Sequence, residues 1–355
     1  MTINEAVPLL LEWYRDNARP LPWRTPLDPY RVWVSEIMLQ QTRIEAVIPY
    51  FERFMAELPT VRDLAAVSDE RLMKLWEGLG YYSRARNLKK AAVQICDQYD
   101  GALPADFEKL RALPGLGDYT AGAVASIAFG LPVVAVDGNV LRVVARLTAD
   151  FDDVMKTATR RRYTQTVSAW LPPHAAGDFN AAIMELGERV CLPNTTPRCD
   201  ECPLAAVCEG HRQKVEILLP TRNAKKARRM EERTVVVLVS NEETPRVLLH
   251  RRPSKGLLAG LWELPNFLVE DEADGVKALL SRLETDVVQQ QSLGDGVHLF
   301  SHIEWRMHGF CVKVSPFTPQ KEYVWATLEE VSSHYALPSA FRTFSRWLPV
   351  LLERN

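Results

Sequence analysis

The sequence predicts a multidomain chain: an all-α domain over residues 1–211 and an α+β domain over 234–355, joined by a basic linker at 212–233. Three observations carry this expectation. Apolar residues recur at three- and four-residue steps as far as residue 211, with no alternating stretch of useful length between them. Residues 212–233 end that pattern and hold eight basic residues against three acidic ones. Beyond 233 the periodicity changes to that of strands.

In the first domain the helical stretches are 30–40, 45–57, 70–79, 84–99, 119–130, 139–149, 159–171 and 179–190. The breaks between them carry Pro and Gly, as in LPW at 21–23, LPGLG at 113–117, GLP at 130–132 and LPP at 171–173. Proline removes a backbone donor and glycine admits turns that other residues resist, so many short helices are expected. In the second domain 234–240, 246–252, 261–267, 298–315 and 322–328 read as strands, with helices at 274–284 and 338–353.

Apolar residues make up 47% of the 355, enough for sizeable cores. No run reaches the roughly 18 apolar residues that a membrane span needs, so no membrane partner is expected. The N-terminal MTINEAVPLLLEWYRD lacks a basic leader region and a cleavage site, which predicts a cytoplasmic protein. The net charge of −2 advertises no polyanionic partner; any binding to nucleic acid must come from local placement of charge.

Of six cysteines, Cys96 and Cys311 stand alone in apolar surroundings, as small buried hydrophobes do. Cys191, Cys199, Cys202 and Cys208 follow a C-x7-C-x2-C-x5-C pattern. In a reducing compartment such a set binds metal rather than forming disulfides. Four thiolates in one loop hold either a tetrahedral zinc ion or an iron–sulfur cluster; three crowded together, with the fourth upstream at a helix end, favour the cluster.

The segment LPGLGDYTAGAVASIAFG (113–130) sets Gly115 and Gly117 in a tight turn ahead of a helical pattern. Such a turn exposes backbone N–H groups at a helix N-terminus, where they bind an anion. Between two helices it matches the helix–hairpin–helix phosphate clamp, in which backbone dipoles replace lysines.

Two carboxylates complete the chemistry. Asp137, before Gly138 and Asn139 at a predicted helix start, reads by itself as an N-cap. Glu36, between apolar neighbours in a helical stretch, reads by itself as a surface glutamate or as a buried, paired acid. Together they suit cleavage of a glycosidic bond, where one carboxylic acid protonates the leaving group and one carboxylate stabilises the oxocarbenium ion. Burial would raise Glu36, and a helix N-terminus would keep Asp137 ionised.

The motifs LPWR (21–24), DPYRVWVSEIMLQQTRIEAVIPYFERF (28–54), WEGLGYYSRARNL (76–88), LPGLGDYTAGA (113–123), VDGNV (136–140), GDFNAAIMELG (177–187), the four cysteines and FSH (300–302) resemble the adenine DNA glycosylase (MutY) family. This family lies within the endonuclease III, helix–hairpin–helix superfamily, and the resemblance covers essentially the whole chain. The cysteine loop is similar to the superfamily's iron–sulfur loop, with seven residues (LPNTTPR) between the first two cysteines in place of the usual six.

The resemblance implies a base-excision repair glycosylase that removes adenine mispaired with 8-oxoguanine or guanine from double-stranded DNA. It implies a nucleoid-associated monomer with a 4Fe-4S cluster at the four cysteines and a monovalent cation or calcium at the hairpin. Glu36 would protonate adenine and Asp137 would stabilise the sugar cation, with Tyr119 and Asn139 orienting them. Trp23 and Arg24 would line the pocket for the flipped base. Gln41 and Tyr81 would wedge the duplex, and Thr42 and Leu79 would contact the oxidised guanine. Arg198 would approach the DNA backbone. Tyr119 stands where strand-cutting members carry lysine, so imine chemistry is not expected.

The second domain resembles a Nudix-like domain, but DGVKALLSRLET (274–285) lacks that fold's glutamate cluster, so pyrophosphatase activity is not expected. Phe300, Ser301 and His302 would instead read the lesion, Ser301 by bonding the N7–H/O8 edge. An endonuclease III-like glycosylase/lyase and a noncatalytic lesion-binding protein remain the alternatives.

Overall fold

The computed structural model of the chain describes residues 2–223, 227–268, 276–277, 279–281 and 283–353. The helices run α1 (Ile3–Asn17), α2 (Pro29–Leu39), α3 (Ile44–Glu57), α4 (Val61–Ala66), α5 (Asp69–Leu75), α6 (Ser83–Tyr99), α7 (Phe107–Arg111), α8 (Asp118–Ala123), α9 (Gly138–Leu147), α10 (Thr157–Trp170), α11 (Ala176–Arg189) and α12 (Glu209–Arg212). The strands β1 (Arg229–Ser240), β2 (Val247–Arg251), β3 (Trp262–Glu263), β4 (Asn266–Leu268), β5 (Val287–Leu299), β6 (Ile303–Val314) and β7 (Tyr323–Ala326) follow. The chain closes with α13 (Leu328–Ser333), α14 (Arg342–Ser345) and α15 (Leu348–Leu351). An all-α part precedes an α+β part, as the sequence predicts.

Two compact units form, one of Met1–Val67 with Arg86–Ala224 and one of Ser68–Ala85 with Lys225–Asn355. The helical unit is organised on α9 and α11. Asp137 caps α9 by accepting the Val140 N–H, and Val140, Val143, Val144 and Leu147 then fall on its buried side. They pack with Phe179, Ile183 and Leu186 of α11 and with Leu10 of α1. α1 itself lies outside the predicted stretches; a capping box between Thr2 and Glu5 starts it, and Ala6, Val7 and Leu10 anchor it. A π-helical turn, Val124–Ala128, continues α8.

The sheet of the second unit has the order β3-β2-β1-β6-β5, with β4 on β1 and β7 on β2. β1 is central, pairing parallel with β6 and antiparallel with β2 and β4. Its valine-rich run is buried on both faces: Val235, Val237 and Val239 join one core with Trp305, Phe341 and Phe344, while Val236 and Leu238 join another with Val276, Leu279 and Leu280. Ser68–Ala85 joins this unit through polar contacts. The Lys74 ammonium donates to the carbonyls of Val331 and Tyr335 at 2.9 and 3.2 Å, and the Leu337 N–H donates to Glu77 Oε1 at 2.7 Å.

Three expectations change. The strand predicted over 298–315 is a hairpin, with Phe300–Ser301–His302 turning between β5 and β6. β5 escaped the sequence reading because it is an edge strand exposed along almost its whole length, so it carries no apolar alternation. The helix predicted over 338–353 is broken into a 3-10 turn, α14 and α15; Pro349, in the first turn of α15, has no N–H to continue the ladder. The stretch read as a linker is structured through most of its length: Leu219 is buried with its carbonyl accepting from Arg146 Nε, Thr221 accepts the Val154 N–H, and β1 begins at Arg229. Of the helix predicted at 274–284, residues 274, 275, 278 and 282 lie outside the described residues; 276–277 and 279–281 are helical.

Candidate active site

The helical unit holds an open cavity of about 1410 Å³. Glu36 from α2, Tyr119 from α8, Asp137 at the start of α9 and Asn139 all line it. The Tyr119 hydroxyl donates to Glu36 Oε2 at 2.6 Å. Asp137 divides its two oxygens: Oδ1 caps the helix through the Val140 N–H at 2.8 Å, and Oδ2 accepts from Asn139 Nδ2 at 2.8 Å. The N-cap and the site carboxylate are therefore the same group, using different atoms.

Burial raises the Glu36 carboxyl from 4.5 to about 7; the Tyr119 hydrogen bond works against this and the charge of Asp137 adds to it. Burial and the charge of Glu36 push the Tyr119 phenol well above its ordinary value, so it remains a donor. Asp137 is also raised by burial, although hydrogen bonds from Val140 and Asn139 hold it down. The helix N-terminus thus offsets desolvation without overcoming it, a difference from the sequence expectation.

Trp23, Arg24, Gln41 and Thr42 line the same cavity. Trp23 is mostly buried, edge-on to Phe51 with centroids 5.3 Å apart. Arg24 is committed to the buried Glu185 at 2.8 Å and lies over the Tyr14 ring. Gln41 has a φ of 59° and Tyr81 one of 47°, left-handed conformations that ordinary side chains adopt only under constraint and that collect at functional positions. Tyr81 and Leu79 belong to the second unit, where Tyr81 is exposed and its hydroxyl lies 3.3 Å from Ser301 Oγ. Leu79 is buried, with its side chain turned into the protein. Phe300 packs edge-on to Trp305, while Ser301 and His302 are exposed.

In the hairpin, Gly115 has a φ of +82°, and a Cβ there would stand 2.9 Å from Asn87 Cβ. Gly117 is extended and caps α8.

The sequence reading missed four contributors. Met184 of α11 accepts a second contact from the Tyr119 hydroxyl at 3.4 Å, and Glu188 lines the cavity, paired with Arg19 at 2.6 Å. Glu185, on the same helix, is held below the usual carboxylate range by Arg19 and Arg24 in spite of its burial. Their signal was present as the 184/185/188 spacing on one helical face. Arg142 is buried and ties Asn139 Oδ1 to the carbonyls of Gly187 and Cys191 at 2.7–2.8 Å. Gly187 permits this approach, since a Cβ there would lie 2.7 Å from Asn139 Cβ. An arginine inside an apolar helical stretch carried no comparable signal.

The four cysteines line a separate small cavity with Val143, Arg146 and Leu186, and none of the four is in a disulfide. Burial raises Cys199 to about 11 and Cys202 to about 12, and the neighbouring sulfurs push in the same direction. Four cysteine sulfurs around one cavity are a donor set suited to a positively charged iron or zinc centre. Arg146 Nη1 lies 3.2 Å from Cys191 Sγ. Arg198, expected near the DNA backbone, is exposed on this loop.

Residues 34–169 match the HhH-GPD superfamily base excision DNA repair protein family, and residues 234–346 match the NUDIX domain family. The adenine DNA glycosylase of Rattus norvegicus is 35% identical, covering 94% of this chain and 77% of that protein. That of Mus musculus is 37% identical, covering 90% and 73%. A thermostable thymine-DNA glycosylase structure covers 59% of this chain and 97% of its own at 25% identity and a TM-score of 0.54. A non-covalent endonuclease III–DNA complex covers 60% and 96% at 27% and 0.51. With a helical base-excision domain followed by a Nudix domain, and this similarity running along both, the chain belongs to the adenine DNA glycosylase family.

Proposed function

We propose that this protein hydrolyses the N-glycosidic bond of adenine mispaired with 8-oxoguanine or guanine in duplex DNA, and leaves the strand uncut. The observation that carries the proposal is one cavity holding a carboxyl lifted to about 7 beside a second carboxylate fixed through both oxygens.

Breaking this bond leaves negative charge on the base and positive charge on the sugar. Glu36 is partly protonated near neutrality and is suited to deliver a proton to the base ring. The Tyr119 hydroxyl occupies Oε2, leaving Oε1 for the transferred proton. Asp137, raised by burial but with hydrogen bonds from Val140 and Asn139 opposing that rise, is suited to stabilise the oxocarbenium ion or to attack it. The cavity accepts a base rotated out of the duplex, with Trp23 and Glu188 on its wall. Tyr119 has no amine, which supports hydrolysis without strand cleavage.

The backbone at Gly115–Gly117 would bind phosphate, and Gln41, Thr42 and Tyr81 would engage the duplex around the lesion, whereas the buried Leu79 is turned away from it. Phe300, Ser301 and His302 would read the oxidised guanine; the Tyr81–Ser301 contact, on two exposed side chains, supports this grouping. Cys191, Cys199, Cys202 and Cys208 would hold a 4Fe-4S cluster, which supplies a fixed loop structure rather than hydrolytic chemistry.

The test uses duplexes containing 8-oxoguanine:A, G:A or thymine glycol, incubated and then heated in alkali. Adenine-strand breaks appearing only after alkali support the proposal. Breaks without alkali, or attack on thymine glycol, support an endonuclease III-like lyase. Binding with no breaks supports a lesion-binding protein. A broad visible absorption with bound iron identifies the cluster; bound zinc with no visible band overturns it.

A further inference from the structure

We propose that His211 and Glu216 are reserve ligands for the metal corner that Cys199 holds, so that this corner can exchange its protein ligand without releasing iron. The inference rests on the reading of the four cysteines as cluster ligands. One donor atom from each of Cys199, His211 and Glu216 lies within 4.8 Å of the other two. Donors so spaced reach one ion at ordinary metal–ligand lengths of about 2.0–2.3 Å after small side-chain rotations.

A four-cysteine site needs neither residue, yet both line the cavity of the cysteines. His211 Nδ1 and Glu216 Oε2 are shielded from solvent and have no hydrogen-bond partner among the described residues. The two side chains do not satisfy each other, because Nδ1 stands 3.9 Å from Glu216 Oε1. Buried polar atoms are nearly always partnered, so two orphans in one metal-binding cavity point to a partner that the chain itself does not supply.

Among the described residues no such group of three donors stands at Cys191, Cys202 or Cys208. Cys191 faces the Arg146 guanidinium, which has no lone pair to offer, and Cys208 faces the Arg146 carbonyl at 3.5 Å. Cys199 also differs in its chain context. It ends the stretch 192–198, four of whose residues in succession, 193–196, are exposed. His211 lies on α12, and Glu216 opens a 3-10 turn whose following residue, Leu219, is fastened by Arg146. The reserve ligands come from a segment held at Leu219 by Arg146, which also donates to the Leu192 carbonyl at the start of the loop.

The exchange is a ligand substitution. The iron–sulfur bond to Cys199 breaks, a bond from imidazole nitrogen or carboxylate oxygen to the same iron forms, and the released thiolate takes a proton from water. Iron keeps its oxidation state. Each iron of a cubane has one protein ligand, and histidine replaces cysteine at iron–sulfur centres of the Rieske type.

Two experiments test this. Cys199→Ala and Cys202→Ala are purified as full chains, and iron per chain, visible absorption and pulsed EPR of the reduced protein are measured. Cys199→Ala is expected to keep the iron and to show a nitrogen hyperfine coupling or a shifted absorption; Cys202→Ala and Cys199→Ala/His211→Ala/Glu216→Gln lose the iron. Loss in Cys199→Ala equal to that in Cys202→Ala overturns the proposal, as does retention in the triple variant. The second experiment keeps every cysteine: iron release to a chelator is timed in wild type and in His211→Ala/Glu216→Gln. Release several-fold faster in the double variant is expected, and equal rates overturn the proposal. If wild type holds no iron at all, the cluster reading fails first, and the two failures are told apart.

Discussion

Replacing Glu36 with glutamine is expected to abolish base removal while stabilising the protein at alkaline pH. The carboxyl is buried, and its folded-state value of about 7 stands above the 4.5 of an exposed glutamate. The folded chain therefore retains a proton that the unfolded chain gives up. The stabilisation associated with that proton is complete below about pH 4.5 and is lost as pH rises through about 7. The gap between the two values corresponds to about 3 kcal/mol. Glutamine cannot ionise, and its amide oxygen still accepts from Tyr119. Relative to wild type, Glu36→Gln should thus gain about 3 kcal/mol between about pH 4 and about pH 8.5, or roughly 6 °C or more in melting temperature. Denaturant titrations at both pH values, followed by circular dichroism, measure the gain, with the alkali assay run in parallel on 8-oxoguanine:A duplex. Parallel pH profiles for the two proteins would refute the account of Glu36 as a desolvated acid, whatever happens to activity.

Three further outcomes follow from the site. Tyr119→Phe removes the hydrogen bond that lowers Glu36, so the alkaline fall in single-turnover rate should move to higher pH; an unchanged profile would detach Tyr119 from the acid. Asn139→Ala frees Asp137 Oδ2 and should slow excision on the order of 10²-fold with duplex affinity retained in gel-shift titration, whereas an unaltered rate would remove Asn139 from the machinery. Ser301→Ala with His302→Ala should narrow the rate ratio between 8-oxoguanine:A and G:A substrates without touching the G:A rate, and a preserved ratio would relocate lesion reading.

The helical domain was legible in the sequence because its stretches are amphipathic and its breaks carry Pro and Gly. Glu36, Tyr119, Asp137 and Asn139 were legible as candidates because their surrounding motifs are ordered, and they meet in one cavity. α1 escaped notice because the N-terminus was weighed only as a signal sequence. β5 escaped because an exposed edge strand shows no burial pattern. Arg142 was hidden for another reason. Its importance lies in which distant groups it touches, and local spacing carries no information about partners 45 or more residues away.

The membership of Ser68–Ala85 in the second unit bears on how such a protein can be cut or recombined. Its sheet unit is completed by eighteen residues that the gene encodes far upstream, fastened by Lys74 and Glu77. Truncating the chain near residue 225 would strip these side chains of their partners and leave a helical fragment carrying an unpaired interior segment. A chimaera that exchanges only the C-terminal portion would inherit half of a joint whose other half comes from a different parent. Swaps that carry 68–85 together with 225–355 keep the joint whole, which makes that discontinuous pair, rather than any single breakpoint, the natural module of exchange.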